Sequence, residues 1–368
     1  MAIHLAKLPV LVVLGERTAG KTMIEARKAD HLRICAEQDV EFAKTTLLEE
    51  VQLVHQAMSS LSLAELDTSA KFMGRRLKAP LLISAMSGGT VGAEELNRDL
   101  ARAAQETGLG FWLGSQGPML EKPELAKSYA VRKYAPDVPI VGNLGLQQAA
   151  TVKVQDIIEL VSRIEADGLA IHLNPAHEIR QAEGERSFPN GIRAIHILAH
   201  RLPGKIMVKE TGCGISRPVA LELRKAGVRV LDTAGAGGTS WPRVESLRRG
   251  VPPAQRAWLD EWGIPTAASI LQVRDLGFEL VGSGGIRTGL DVAKCLALGC
   301  DLAGMALPVL RAYRSGGYGG TVAFLQQVIA DLKAVMLLAG AKDIRALKKQ
   351  KTIITGALKE WQSHSAST

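Results

Sequence analysis

Residues 168–186, GLAIHLNPAHEIRQAEGER, decide how the rest of the chain is read. The first half is a short apolar run ending in His172, Leu173 and Asn174. The second half is polar and sets His177, Glu178, Glu183, Glu185 and Arg186 within a few residues of one another. A buried strand that opens into clustered acid, base and amide groups is how an α/β enzyme presents reactive side chains: the sheet fixes the strand end and the loop carries the chemistry. Taken alone, the same letters also describe a solvated loop after an ordinary strand, so the neighbouring sequence must decide.

Outward from this stretch the pattern repeats. Short apolar runs occupy residues 80–86 (PLLISAM), 110–114 (GFWLG), 139–145 (PIVGNLG), 168–174, 204–210 (GKIMVKE), 228–235 (VRVLDTAG), 279–286 (ELVGSGGI) and 301–306 (DLAGMA). Between them lie stretches with helical apolar spacing, such as AEELNRDLARAAQETG, QDIIELVSRIEADG and RPVALELRKAGV, the last with Gly227 after its final turn. Strands alternating with crossover helices pair in parallel, and eight of them predict a closed (β/α)8 TIM barrel, a fold that runs to about 250 residues or more. The expected division is an N-terminal extension (1–26), lead-in helices bearing a cationic cluster (27–79), the barrel (80–345) and a C-terminal helix with a frayed tail (346–368). Residues 42–77 are expected to be helical with polar interruptions. Residues 242–278, with Trp258 and Trp262, form a long insertion expected to fold over the barrel mouth.

Lys and Arg outnumber Asp and Glu by 45 to 37, and the basic residues are scattered. That balance suits a phosphorylated or acidic small substrate, whereas a nucleic-acid groove calls for clustered cations and stacking aromatics, here only 4% of residues. Cys35, Cys213, Cys295 and Cys300 make no CxxC pair, which fits a reducing cytoplasm. No run is expected to reach the ~18 apolar residues of a membrane span, so neither membrane nor nucleic acid is expected as a partner. GERTAGKT at residues 15–22 matches the phosphate-cradling GxxxxGK[ST] pattern. RKADHLRIC follows too soon to leave room for the second strand and metal-binding Asp of a nucleotide site, so the segment is read as a dispensable extension.

In a barrel the working groups collect where strands finish. Those positions hold Ala85, Met86 and Ser87; Ser115 and Gln116; Asn143; His172 and Asn174; Lys209 and Glu210; residues 232–239; Gly284, Gly285, Ile286 and Arg287; and Ala306. Glycine turns after the seventh and eighth strands, with Arg287 entering a helix, predict a phosphate site of backbone N–H groups backed by the helix dipole. Lys209 on a buried rim calls for an anionic partner, either a neighbouring carboxylate or a ligand. A cofactor with a phosphate at one end and an electron-rich ring at the other, such as FMN, satisfies both. Arg27 and His31 lie one helical turn apart beside Lys28 and can face one anion.

Taken together, RKADHL, APLLISAMSGGT, LGSQ, VGNLG, IHLN followed by HE and EGER, IMVKE, DTAGAGGTSW, GSGGIRTGLD and GMALP resemble the type 2, FMN-dependent isopentenyl diphosphate isomerases, over almost everything from Arg27 to about Leu310. The resemblance implies a barrel that binds FMN, reduced by NADPH, together with Mg2+, and that interconverts isopentenyl and dimethylallyl diphosphate by allylic proton transfer, the reduced flavin acting as acid and base. It implies FMN contacts from Ala85, Met86, Ser87, Ser115, Asn143, Lys209, Thr239, Gly285, Ile286, Arg287, Ala306 and Leu307. Substrate contacts would come from Arg27, Lys28, His31, Ser115, Gln116, Gly117, His172, Asn174 and His177, with Arg27 and Lys28 on the diphosphate. Glu178 would hold the metal, and His172, His177 and Lys209 would serve the chemistry. Symmetric homo-oligomers are also implied. Three positions depart from the family pattern: His177 stands where Gln is usual, Gly117 where Arg or Met is frequent, and Glu185 where the EGDR-like element has Asp. The alternatives are an FMN-dependent oxidoreductase on the same barrel, or an isomerase-derived paralogue with another substrate or with no catalytic role.

Overall fold

Each of the eight short apolar runs becomes one stave of a closed parallel barrel in the computed structural model, which describes residues 23–86, 88–89, 93–188 and 191–366. The staves are β1 (Leu81–Ile83), β2 (Gly110–Trp112), β3 (Ile140–Gly145), β4 (Gly168–His172), β5 (Ile206–Lys209), β6 (Val230–Asp232), β7 (Glu279–Ser283) and β8 (Leu302–Met305). They pair in sequence order, and β8 closes on β1 with Gly304 opposite Leu82. The period-two alternation of a strand explains the core. Leu82, Trp112, Val141, Ala170, Met207, Val230, Val281 and Leu302, one from each strand, form a single buried cluster. Their sequence neighbours, such as Ile83, Phe111, Leu169, Val208 and Leu231, belong instead to the larger cluster that includes the surrounding helices.

The expected helical lead-in at 42–77 is corrected. Its helical content is two single turns, Leu48–Glu50 and Leu63–Glu65, and the rest is extended or irregular. Val51–Leu53 pairs antiparallel with Thr352–Ile354 near the C-terminus. Ala70–Phe72 and Arg75–Leu77 form a hairpin whose turn residues Met73 and Gly74 both have positive φ, 49° and 78°, as the right-handed twist of a two-residue hairpin requires. Phe72 and Leu77 plug the amino-terminal end of the barrel and join its inner cluster. Tertiary burial, which no local pattern reports, decides this segment.

Asp167, just before β4, ties that end together: it accepts from Arg75 Nε at 2.8 Å, Arg132 Nη2 at 2.6 Å and the Ile140 N–H at 2.8 Å. Asp167→Asn loses the charge and part of this set, and is expected to cost about 1–3 kcal/mol. The urea midpoint should fall while ligand binding at the opposite end is unchanged.

Residues 242–278 also differ in detail from expectation. The helix Trp241–Arg248 packs against the entry helix Met23–Glu37 and the short helix Pro175–Arg180, at the carboxyl ends of the strands. Trp258 and Trp262, however, are 65% and 61% exposed on the outside, and the tryptophan that reaches the mouth is Trp241. The expectation that no run approaches a membrane span is corrected as well. Leu307–Leu338 is long and apolar enough by length and composition, with mean hydropathy 1.5 in its most apolar window. It is the eighth barrel helix, broken at Gly317, and it buries Val322, Leu325, Val328, Leu332 and Met336 against Gly289–Leu298 and Ala93–Thr107. The stretch at residues 15–22 lies outside the described residues.

Candidate active site

At the carboxyl ends of the strands the structure holds a cavity of about 490 Å³. Ala85, Met86, Ser115, Gly117, Asn143, His172, Asn174, His177, Glu178, Lys209, Thr239, Gly285, Ile286, Arg287, Ala306 and Leu307 all line it, and the entry helix adds Arg27, Lys28 and His31. Ser87 lies outside the described residues. Gln116 is a correction: it is fully buried behind the wall. Its Oε1 accepts the Asn143 N–H at 2.9 Å, and a Cβ at Gly142 would lie 2.4 Å from that oxygen, so glycine there makes the room. Gln116 ties β2 to β3 from the turn that follows β2, where the backbone leaves the extended conformation and enters the helix Gly117–Glu121, so Ser115 lines the cavity while the next side chain lies in the wall.

Around β4 the polar groups orient one another. His172 Nδ1 and Asn143 Oδ1 are 2.8 Å apart. An amide oxygen only accepts, so Nδ1 carries the proton and Nε2 keeps its lone pair. Burial, with Lys209 and Lys28 adding, pushes the imidazole down to about 3. Asn174 precedes the helix Pro175–Arg180 and donates one turn along to Glu178 Oε1 at 2.8 Å, while the Glu185 N–H donates to Oε2 at 3.0 Å. His177, on the same helix, accepts from Gln181 Nε2 at 3.2 Å. Gln181 Oε1 in turn accepts from Arg27 Nη1 at 2.7 Å, and Arg27 also pairs with Glu183 at 2.8 Å.

The roof is built by two helices. Glu245 is buried and accepts from Arg248 Nε at 3.0 Å on each oxygen; its Oε2 also lies 3.0 Å from His31 Nε2. Burial raises the Glu245 carboxyl, but the bonds from His31 and Arg248 prevail and carry it down to about 2. Burial holds His31 below its ordinary value despite Glu245, so the pair is a neutral imidazole donating to a carboxylate. Trp241 packs against both His31 and His177, with ring centroids 5.4 and 5.2 Å away. Lys28 Nζ donates to the carbonyls of Gly88 at 2.7 Å and Ser115 at 2.9 Å, and burial, then Arg27, bring it down to about 7.

On the floor, Lys209 Nζ donates to the Glu210 carbonyl. Burial lowers its pKa, opposed by Asp232 and Glu210. Asp232 Oδ1 accepts from Ser283 at 2.7 Å. At the β7 end, Gly284 and Gly285 have φ of 95° and 76°, and a Cβ on Gly284 would lie 2.1 Å from the Gly235 carbonyl oxygen. Backbone therefore packs on backbone where the loops after β6 and β7 meet. Arg287 follows and pairs with Glu41, which also pairs with Arg311 at 3.1 Å.

Trp241, Glu245, Gln181 and Gln148 were not anticipated as part of this region. One of them carries a readable signal, since Gln181 lies one turn after His177.

The sequence profile of the FMN-dependent dehydrogenases matches residues 21–171 and 191–354. The isopentenyl-diphosphate delta-isomerase of Pyrococcus abyssi is 39% identical over 346 residues, covering 91% of this chain and 94% of that protein. The proteins of the same name from Methanothermobacter thermautotrophicus and Sulfurisphaera tokodaii are 40% and 41% identical, covering 92% of this chain in each case and 96% and 94% of their own lengths. Among solved structures, a Pediococcus acidilactici lactate oxidase aligns with a TM-score of 0.64 at 15% identity, over 90% of this chain and 94% of its own. A flavocytochrome b2 variant aligns at 0.61 and 15%, over 88% and 78%. At such identity the likeness is one of fold.

Proposed function

Because this chain belongs to the isopentenyl-diphosphate delta-isomerase family, within the FMN-dependent dehydrogenases, we propose that it interconverts isopentenyl and dimethylallyl diphosphate by allylic proton transfer, with FMN, Mg2+ and the prenyl diphosphate sharing one cavity. NADPH is the reductant in this reading.

The observation that carries it is the division of the cavity into a floor suited to a flavin and a roof suited to a diphosphate. Ser84 lines the floor, and its Oγ is buried with no hydrogen-bond partner, a donor left for a ligand atom. Lys209 offers positive charge from the fifth strand to the same cavity, and the glycine turn at Gly284–Gly285 leads into the helix Gly289–Leu298, whose amino-terminal end favours a phosphate. These residues fit FMN. When bound and reduced, FMN supplies the acid and base for the proton transfer. Lys209 stabilises negative charge at the ring, and Ala306, Leu307 and Met86 exclude water from it. Arg27 and Lys28 neutralise the diphosphate. Glu178, whose carboxylate has lone pairs beyond the two bonds it accepts, gives Mg2+ a hard oxygen, with Asn174 holding its orientation. His172, oriented by Asn143, offers Nε2 to the cavity, and His177 with Trp241 covers the hydrocarbon part.

The match to the FMN-dependent dehydrogenase profile raises a second reading, oxidation of a hydroxy acid, which needs a His beside an Arg after β6 or β7 to remove a proton. Among the described residues, the histidines lining the cavity are His31, His172 and His177, from the entry helix and the β4 region, so this reading lacks its base.

The test is an anaerobic assay with chemically reduced holoenzyme, Mg2+ and isopentenyl diphosphate. Dimethylallyl diphosphate is the expected product, and His177→Gln, which keeps a polar side chain of similar reach, should stay within about tenfold in kcat/KM, a change of about 1.4 kcal/mol. Absence of turnover with reduced FMN bound overturns the proposal in favour of another substrate.

A further inference from the structure

We propose that His31, His177 and Glu245 form a binding site for a divalent transition-metal ion, of the Zn2+ kind, in the roof of the cavity and separate from the oxygen site at Glu178. One ligand atom from each of the three residues lies within 4.8 Å of the others. His31 Nε2 and Glu245 Oε2, at 3.0 Å, are already as close as two ligands of one ion. Bonds of about 2.0–2.1 Å at tetrahedral angles need edges of roughly 3.3 Å, so the correction falls on the third corner, His177. That residue is the one able to supply it: His177 is half-buried on a helix of six residues, whereas His31 and Glu245 are buried.

The donor chemistry separates the two sites. Two imidazoles and a carboxylate select zinc and its first-row neighbours, while Mg2+ takes oxygen donors of the sort gathered at Glu178. The outer shell is also in place, since Arg248 grips Glu245 through both oxygens and Trp241 packs on both imidazoles. Arg27 and Arg248 oppose the added charge, and an anionic ligand in the cavity would offset them. His31 and His177 line the cavity, so the ion's remaining positions face it. The site depends on the position that departs from the family pattern: Gln at 177 would leave one imidazole and one carboxylate.

Zn2+ binding to the FMN-loaded protein, measured by equilibrium dialysis in excess Mg2+, tests this. One Zn2+ per chain is expected, weakened at least tenfold in both His177→Gln and Glu245→Gln and unchanged in Glu178→Gln. Flavin content checks that each variant is folded, and His177→Gln alone decides the matter should Glu245→Gln fail to fold. Wild type that binds no Zn2+ overturns the proposal. So does binding that survives His177→Gln, which would place the ion elsewhere, for example at the adjacent His196 and His200 rings. Binding lost in Glu178→Gln overturns it too. Dialysis requires no turnover, so the result is independent of the isomerase reading.

Discussion

Lys209→Ala is expected to lower kcat/KM by about 10²–10³-fold and to leave the purified protein poor in flavin. The ammonium is buried at the end of β5, between the Glu210 carbonyl to which it donates and the carboxylate of Asp232. Burial of a lone cation there is costly, and the two carboxylates beside it only partly offset that cost. In the proposed function a reduced, negatively charged flavin held by Lys209 would make up the remainder. Truncation removes that attraction and also leaves Asp232, whose Oδ2 already lacks a partner, buried without a counter-ion. The flavin absorbance of the purified variant, read beside its circular dichroism, separates loss of the cofactor from loss of the fold. A folded variant that keeps its FMN, with a wild-type reduction midpoint, would contradict the role given to Lys209.

Glu178→Gln is expected to reduce kcat/KM at low Mg2+ by at least about 10²-fold and to flatten its dependence on the metal. The change preserves size and removes the charge. Glu178 Oε1 receives Asn174 and Oε2 receives the Glu185 N–H, so both oxygens are aimed before any ion arrives. A hard cation favours an ionised carboxylate over a neutral amide. Stability should change little, since the side chain stands at the cavity edge. A Mg2+ titration that superposes on that of the wild type would place the metal elsewhere.

The barrel was legible because each strand is a run buried on both faces that ends in small or polar residues, and this pattern survives without tertiary information. All eight fall inside the ranges read from the letters. The misreadings share a cause, which is reliance on a partner distant in sequence. Val51–Leu53 is extended because it pairs with Thr352–Ile354, and residues 70–77 form a hairpin because the open end of the barrel needs Phe72 and Leu77. At the cavity, position at a strand end predicted proximity but not direction. Ser115 and Gln116 are adjacent, yet one faces the cavity and the other is locked to β3. Trp258 and Trp262 drew attention as large apolar residues in an insertion, while Trp241, at the start of a helix that packs on the entry helix, is the one that lines the cavity.

The central claim is that this cavity moves a proton across an allylic system without net oxidation. Anaerobic incubation of the reduced, Mg2+-loaded holoenzyme with isopentenyl diphosphate in D2O tests it most directly, with product and flavin followed together. The account predicts dimethylallyl diphosphate carrying solvent deuterium, over many turnovers, with the flavin still reduced at the end. Product free of deuterium, or flavin oxidised in step with substrate consumed, would contradict it.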